Sequence, residues 1–255
     1  MINRHIKKKF LKQGDKLVLM PNAVLRQFDL TENNQLLFDK SSSDVFVLLN
    51  EKLTGENVYG YIHKLKGKGY PIPIPDFTLC NLNFAYFMKN EAVKRKKDLI
   101  NKISDGLLND DYKEELFNFY GYSSSYIIHL FASLESFVNS LIKEFMNCQM
   151  KNKKIQYEEI LKKMPTFDKL NTVVKKYYGK YYLSPRTKFT NSLYNLRSLR
   201  NDIVHIKYGC TFYNPSSIVR RLIDFDYETT YNAVVDMMNF YQSDYVEPCD
   251  CGANH

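Results

Sequence analysis

From Tyr126 to Phe145 the large apolar side chains fall at Tyr126, Leu130, Leu134, Phe137, Leu141 and Phe145. Steps of three and four form one face only on an α-helix, so the segment is predicted to be a long amphipathic helix with apolar partners along it. Ser123, Ser124 and Ser125 offer N-caps just ahead of that face. Further helices are expected over Glu91 to Leu108, over Ile155 to Lys163 before Pro165, and over Thr166 to Tyr178 before Gly179. Ser184 followed by Pro185 predicts an N-cap and first helical residue for a helix reaching about His205. A last helical stretch, broken once, covers Ser217 to Gln242, with Ile218, Leu222, Tyr227, Tyr231, Val235 and Met238 turned inward. Together these predict a mainly α protein whose centre is an antiparallel α-helical bundle.

The chain before residue 91 reads differently. It is a smaller mixed α+β region, with short strands expected at Lys16 to Met20 and Gln35 to Phe38 and short helices near Asp44 to Lys52 and Glu56 to Lys66. Pro71, Pro73 and Pro75 make Lys68 to Asp76 an extended connection, because each ring fixes φ and turns its predecessor away from helix. That connection is the candidate boundary, and the division read from the whole pattern is an N-terminal region of unassigned fold at 1–90, a helical domain at 91–245 and a C-terminal tail at 246–255. With 44% hydrophobic residues in 255, the chain can bury its own core, and its five cysteines show no disulfide framework spacing. No window approaches the run of about 18 apolar residues that crosses a membrane, and the N-terminus lacks the apolar block of a signal peptide, so no membrane partner is expected and the cytoplasm is the default compartment.

Charge narrows the partner. The formal net charge is +8, which favours a polyanion, and its distribution matters more than its total. Residues 151–210 hold 14 basic and 4 acidic side chains, whereas 211–255 hold 2 and 7. Within the basic stretch, Lys175, Lys176, Tyr177, Tyr178, Gly179, Lys180, Tyr181 and Tyr182 interleave cations with rings, as single-stranded RNA binding would use them; packing of a helix end is the competing reading. The run Lys94 to Lys97 reads as a solvated helix face. No Gly-rich phosphate loop, Walker pattern, zinc-protease motif or nucleophile elbow occurs, and Cys249, Cys251 and His255 fall short of a four-ligand zinc site, so no metal or other cofactor is expected.

On the helix ending near His205, the inward positions run Phe189, Leu193, Leu196, Arg200, Ile203 and Val204. An arginine therefore stands where the period asks for leucine, and a guanidinium there needs a carboxylate partner or an opening onto a cleft or interface. Arg197, Asn201 and His205 follow at steps of four and form a ridge beside that stripe. Glu135, on the Tyr126 helix, is the candidate carboxylate for Arg200, while His129 is expected to be an ordinary half-buried histidine.

The string Arg200-Asn201-Asp202-Ile203-Val204-His205 resembles the R-x(4)-H signature of the HEPN superfamily. The upstream helix from His129 to Phe145 and the connecting segment Met164 to Leu170 are similar to that family's pattern, and the likeness spans about residues 121–243. Tyr208 stands three residues after His205 rather than two, so it is not given the role a tyrosine has in one toxin subset. The resemblance implies a metal-independent endoribonuclease, a homodimer with a composite site, and a toxin-antitoxin, abortive-infection or antiviral defence setting with an antitoxin or defence-system partner protein. It places Arg200, Asn201, His205 and, with them, Glu135 in the catalytic set. Arg197, Lys207, Lys175, Lys176 and Tyr178 are the candidates for RNA contact. Two other readings stay open: a catalytically silent HEPN-like domain that binds RNA, a nucleotide or a protein as scaffold or sensor, and a helical interaction protein in which Arg200 is a structural salt bridge.

Overall fold

A computed structural model of the chain describes residues 5–11, 24–28, 45–51, 56–104, 110–150, 153–183, 187–205 and 215–249. It is mostly helical, with a small sheet on the N-terminal side, and it divides into a helical unit (1–7 and 77–255) and a sheet unit (8–76).

The sheet unit is a four-stranded mixed sheet of β1 (Val24–Phe28), β2 (Val45–Glu51), β3 (Glu56–Leu65) and β4 (Lys68–Pro73). β1 pairs in parallel with β2, and β2, β3 and β4 pair antiparallel in sequence order. The two expected helices are thus replaced by β2 and β3. The reason is visible in VFVLLNE and ENVYGYIHKL: short runs rich in β-branched and aromatic residues, with Val58 and Ile62 buried at alternate positions, suit a sheet better than a helix of one or two turns. The strands expected at Lys16 to Met20 and Gln35 to Phe38 lie outside the described residues. Lys66 and Gly67 both take positive φ (50° and 80°), the twist a two-residue hairpin turn needs between β3 and β4. Among the described residues β4 is paired in the ladder only with β3, which is where a strand carrying Pro71 and Pro73 can sit without losing ladder bonds. Gly60 is packed from both directions: a Cβ there would stand 2.7 Å from the Ile72 carbonyl oxygen and 2.9 Å from Leu49 Cδ1.

The helical unit resumes at Phe77, directly after the candidate boundary at Lys68 to Asp76 and earlier than the division at 90. α1 (Phe77–Ser104) buries Leu79, Leu82, Tyr86, Lys89, Ala92 and Leu99, a helical stripe that its asparagines and phenylalanines conceal in the sequence. α2 (Asp110–Leu141) runs through the serine cluster; Ser123 and Ser124 are buried inside it and Ser125 is half-buried, with Ser123 Oγ 2.9 Å from the Tyr227 hydroxyl, so these serines are mid-helix residues and not N-caps. Thr78 meets Ser136, Asn81 meets His129, and Arg95 meets Glu115, which makes α1 and α2 an antiparallel pair. The basic run divides here, with Lys94 and Lys97 exposed and Arg95 turned to Glu91 and Glu115.

After a small hairpin, β5 (Cys148–Met150) and β6 (Lys153–Ile155), come α3 (Tyr157–Lys163), α4 (Thr166–Asp168), a π-helical turn (Lys169–Val174) and α5 (Lys175–Tyr178). Gly179 ends this run at φ 63°, as its sequence position suggests. α6 (Lys188–Val204) is capped by Thr187, whose side chain accepts from the Thr190 amide at 3.2 Å; the expected Ser184 and Pro185 start lies outside the described residues. α7 (Pro215–Ile223) and α8 (Tyr227–Tyr241) follow, with the break just ahead of the Asp226 cap. The six inward residues foreseen for this stretch are all buried. One core joins Tyr126, Leu130, Leu134 and Phe137 of α2 to Leu196 of α6 and Tyr231 of α8.

Residues 246–249 are docked rather than a free tail. Val246 is buried and exchanges hydrogen bonds with the Asn239 amide (2.9 and 3.1 Å), while Lys7 and Cys249 donate backbone bonds to Glu247 and His5. Among the described residues no helix is long and apolar enough to cross a membrane.

Because any side chain at position 60 must displace backbone, Gly60→Ala is expected to cost about 1–3 kcal/mol by overpacking. Urea denaturation of the two proteins followed by circular dichroism checks it; equal midpoints would show that β3 and β4 separate freely.

Candidate functional site

The C-terminal half of α6 carries the residues singled out by the sequence. Leu193, Leu196 and Leu199 are its buried leucines. Arg200 lies about 20° round the helix from Leu193, so its azimuth is inward as read from the period. It is nevertheless only half-buried, because packing thins toward the end of α6: Ile203 is half-buried, and Val204 and His205 are exposed. The guanidinium of Arg200 rests 5.2 Å from the centroid of the Phe131 ring on α2 and donates from Nη1 to Asn201 Oδ1 at 3.2 Å. One turn earlier Arg197, also half-buried, rests 5.4 Å from the Phe167 ring, which is itself set edge-on to Tyr194 at 5.0 Å.

Neither arginine forms an ion pair among the described residues. This corrects the expected Arg200–Glu135 pair. Glu135 sits one turn beyond Phe131 on α2, half-buried, and accepts a hydrogen bond from Thr166 Oγ1 at 3.1 Å. The partner Arg200 takes instead is an aromatic face, which satisfies a planar, weakly hydrated cation without neutralising it. Two uncancelled positive charges therefore share one helix face on Phe131 and Phe167. His205 closes the helix, its amide bonded to the Asn201 carbonyl at 3.0 Å and its ring exposed at the negative end of the helix dipole. Arg200 and His205 are about 140° apart round the helix and about 7.5 Å along it, so one extended anion can lie across both only by bridging the helix end.

Lys169 was not foreseen. It opens the π-helical turn, is 2% exposed, and donates from Nζ to Asn139 Oδ1 (2.7 Å) and to the Leu161 carbonyl (3.0 Å). Burial pushes its pKa down, and the nearby Glu135 carboxylate opposes that shift. The clue available in the sequence was a lysine between Phe167 and Leu170 in an otherwise inward segment; the π-turn that aims it at Asn139 has no sequence signature of its own.

The basic and aromatic segment after it is built from cations lying on rings. Lys175 covers Tyr181 at 4.6 Å, Lys176 covers Tyr177 at 4.9 Å and Lys180 covers Phe240 at 5.8 Å, with all three lysines exposed. Tyr178 is turned inward. Its hydroxyl donates to the Leu141 carbonyl at 3.0 Å, its ring meets Tyr241 edge-on, and burial pushes its pKa up. Here the packing reading holds for Tyr178, while Lys175 and Lys176 remain open to solvent. Lys207 lies outside the described residues, as do Tyr208, Cys251 and His255. His129 is an ordinary half-buried histidine on Phe84, with Nδ1 at 3.0 Å from Asn81 Oδ1.

Comparison of the chain with protein-family models, with curated proteins and with solved structures finds no match.

A lysine whose pKa is lowered by folding binds fewer protons in the native state than in the unfolded one across the window between its folded value and the ordinary value of about 10.4. Stability at Lys169 is therefore penalised below that window and recovers as pH rises through it. Urea unfolding of wild type and Lys169→Met from pH 7 to 10.5 is expected to show wild type gaining on the variant with pH; parallel curves would mean the buried amine titrates normally.

Proposed function

We propose that the helical unit is a metal-independent endoribonuclease of the HEPN type, acting as a homodimer in a toxin-antitoxin, abortive-infection or antiviral defence setting. The observation that carries this reading is the pair Arg197 and Arg200, two half-buried guanidiniums on Phe167 and Phe131 that form no ion pair among the described residues, at the helix end that bears an exposed imidazole. A surface lysine cluster would bind anions loosely, whereas partly desolvated arginines on rings hold a phosphate in a fixed orientation.

The chemistry follows from these groups. His205 takes the proton of a ribose 2′-hydroxyl, the 2′-oxygen bonds to the adjacent phosphorus, and the P–O5′ bond breaks. Charge gathering on the non-bridging oxygens is met by Arg200, positioned by its bond to Asn201, with Arg197 on the neighbouring phosphate. The departing 5′-oxygen needs a proton, and each chain offers one imidazole at this helix end. The imidazole of a second copy, brought to the same cleft, supplies it, and the products are a 2′,3′-cyclic phosphate and a 5′-hydroxyl. Freedom from metal is inherited from the HEPN resemblance. Glu135, held by Thr166, stands one turn from Phe131 beside Lys169 and forms no bond to Arg200.

One observation favours a second reading, a silent domain that binds RNA, a nucleotide or a protein as scaffold or sensor. The His205 ring has no hydrogen-bond partner among the described residues, so none of these fixes its tautomer.

The deciding experiment incubates wild type, His205→Ala and Arg200→Ala with total and defined RNA in excess EDTA, with thermal melts and sizing alongside. Wild type is expected to leave 2′,3′-cyclic ends, with losses of about 10²–10⁴ for the imidazole and about 10²–10³ for the guanidinium in folded dimers. Three inert, well-folded proteins would remove the enzyme reading and leave the binding one; unfolding of Arg200→Ala would make that arginine a structural residue.

A further inference from the structure

The sheet unit presents a second surface that the helical site does not use. On β3 the side chains alternate, so Val58 and Ile62 face the buried side while Tyr61, His63 and Leu65 face outward. The register places Phe46 and Ile72 beside Tyr61, Tyr70 beside His63, and Lys68 beside Leu65. Directly paired residues share a face, so these side chains form one continuous strip across β2, β3 and β4. Tyr61 is 37% and Tyr70 42% exposed, and His63 and Lys68 are exposed with them. Tyr61 and Tyr70 are diagonal neighbours on the two strands, about 7–8 Å apart, and their rings neither contact each other nor bond through their hydroxyls among the described residues. Each ring is more than a third exposed.

The charge on this strip has one sign. On β3, β4 and the turn between them the outward cationic residues are His63, Lys66 and Lys68, Lys64 lies on the other side with Val58 and Ile62, and residues 57–75 contain no aspartate or glutamate. Lys66, in the left-handed turn, and Lys68 pair with no carboxylate among the described residues. A face that is aromatic and, among the described residues, cationic is complementary to a chain of bases and phosphates.

We infer that the outward face of β3 and β4 binds single-stranded RNA, with Tyr61 and Tyr70 as stacking platforms for two successive bases and Lys66 and Lys68 as phosphate contacts. Stacking on a ring is tolerant of sequence, so the surface grips and presents a strand without choosing among bases. The choice of RNA over DNA rests on the nuclease reading above, and the surface itself does not. Holding a strand here raises its local concentration at any site on the same chain by the ordinary logic of linked binding.

The test uses the full chain carrying His205→Ala, so that the probe stays intact whatever the helical site does, and measures fluorescence anisotropy of labelled rU12 and dT12. Tyr61→Ala or Tyr70→Ala is expected to weaken rU12 binding about 30-fold, and Tyr61→Phe to leave it unchanged, because the ring and not the hydroxyl is used. Lys66→Gln with Lys68→Gln is expected to flatten the slope of log K against log salt by about 1.4. Tyr61→Leu with Tyr70→Leu keeps apolar bulk on the strands and guards against loss through unfolding, which far-ultraviolet circular dichroism verifies. Binding unchanged in folded ring variants overturns the inference, and tighter binding of dT12 than of rU12 overturns the choice of RNA. If wild type leaves RNA uncut while the ring variants lose binding, the nuclease reading falls and this surface stands.

Discussion

Burial along α2 is the constraint on which the rest of the helical unit depends. Tyr126, Leu130, Leu134 and Phe137 are fully enclosed, and the helix is closed in by α1 on one side and by α6 and α8 on others. At about 25 cal/mol per Å² of apolar surface, a stripe of this kind is what offsets the ordering of a 32-residue helix, which has no stable existence alone in water. The polar residues on it are placed accordingly. Ser133 donates to the Thr78 carbonyl at 2.8 Å, and the Tyr126 hydroxyl donates to the Tyr227 carbonyl at 2.7 Å, so the helix docks on its neighbours through bonds formed only in the assembled core.

The same helix shapes the site. Phe131 and Glu135 are successive turns of α2, and the first supports Arg200 while the second meets Thr166 and the field of Lys169. Ring and carboxylate thus divide what a single salt bridge would have combined. A carboxylate bonded to Arg200 would have held it more firmly and cancelled its charge. A ring holds it and leaves the charge available to a ligand.

How much of this was legible follows from what a period can report. The α2 stripe from Tyr126 to Leu141, the break before α8 and the end of α6 near His205 are read directly, because spacing is dictated by which side chains must be buried together, whereas Phe145, expected as the last member of the stripe, lies past the helix end and is exposed. β2 and β3 were read as helices, since VFVLLNE is too short for the helical and strand periods to part. Ser123 was read as a cap because a serine's usual tasks are local, whereas its actual partner is the Tyr227 hydroxyl 104 residues away. At the site, Arg200 and His205 are found by pattern, but the identity of the group beneath Arg200 is a fact of packing between helices. Glu135 and Phe131 lie on the same helix four residues apart, and the sequence alone gives no reason to prefer the ring.

The backbone bonds from Lys7 and Cys249 to Glu247 and His5 join stretches about 240 residues apart, with Ile6 buried in the helical core between them. The order of synthesis then matters. Residues 5–7 have no place to dock until residues 246–249 have emerged from the ribosome, and the sheet unit between residues 8 and 76 can pair its strands long before that. Closure of the helical unit is therefore a late, long-range event that carries a large loop-entropy cost. A nascent chain paused short of Val246 holds its sheet ready while its helical core still lacks the seam that closes it.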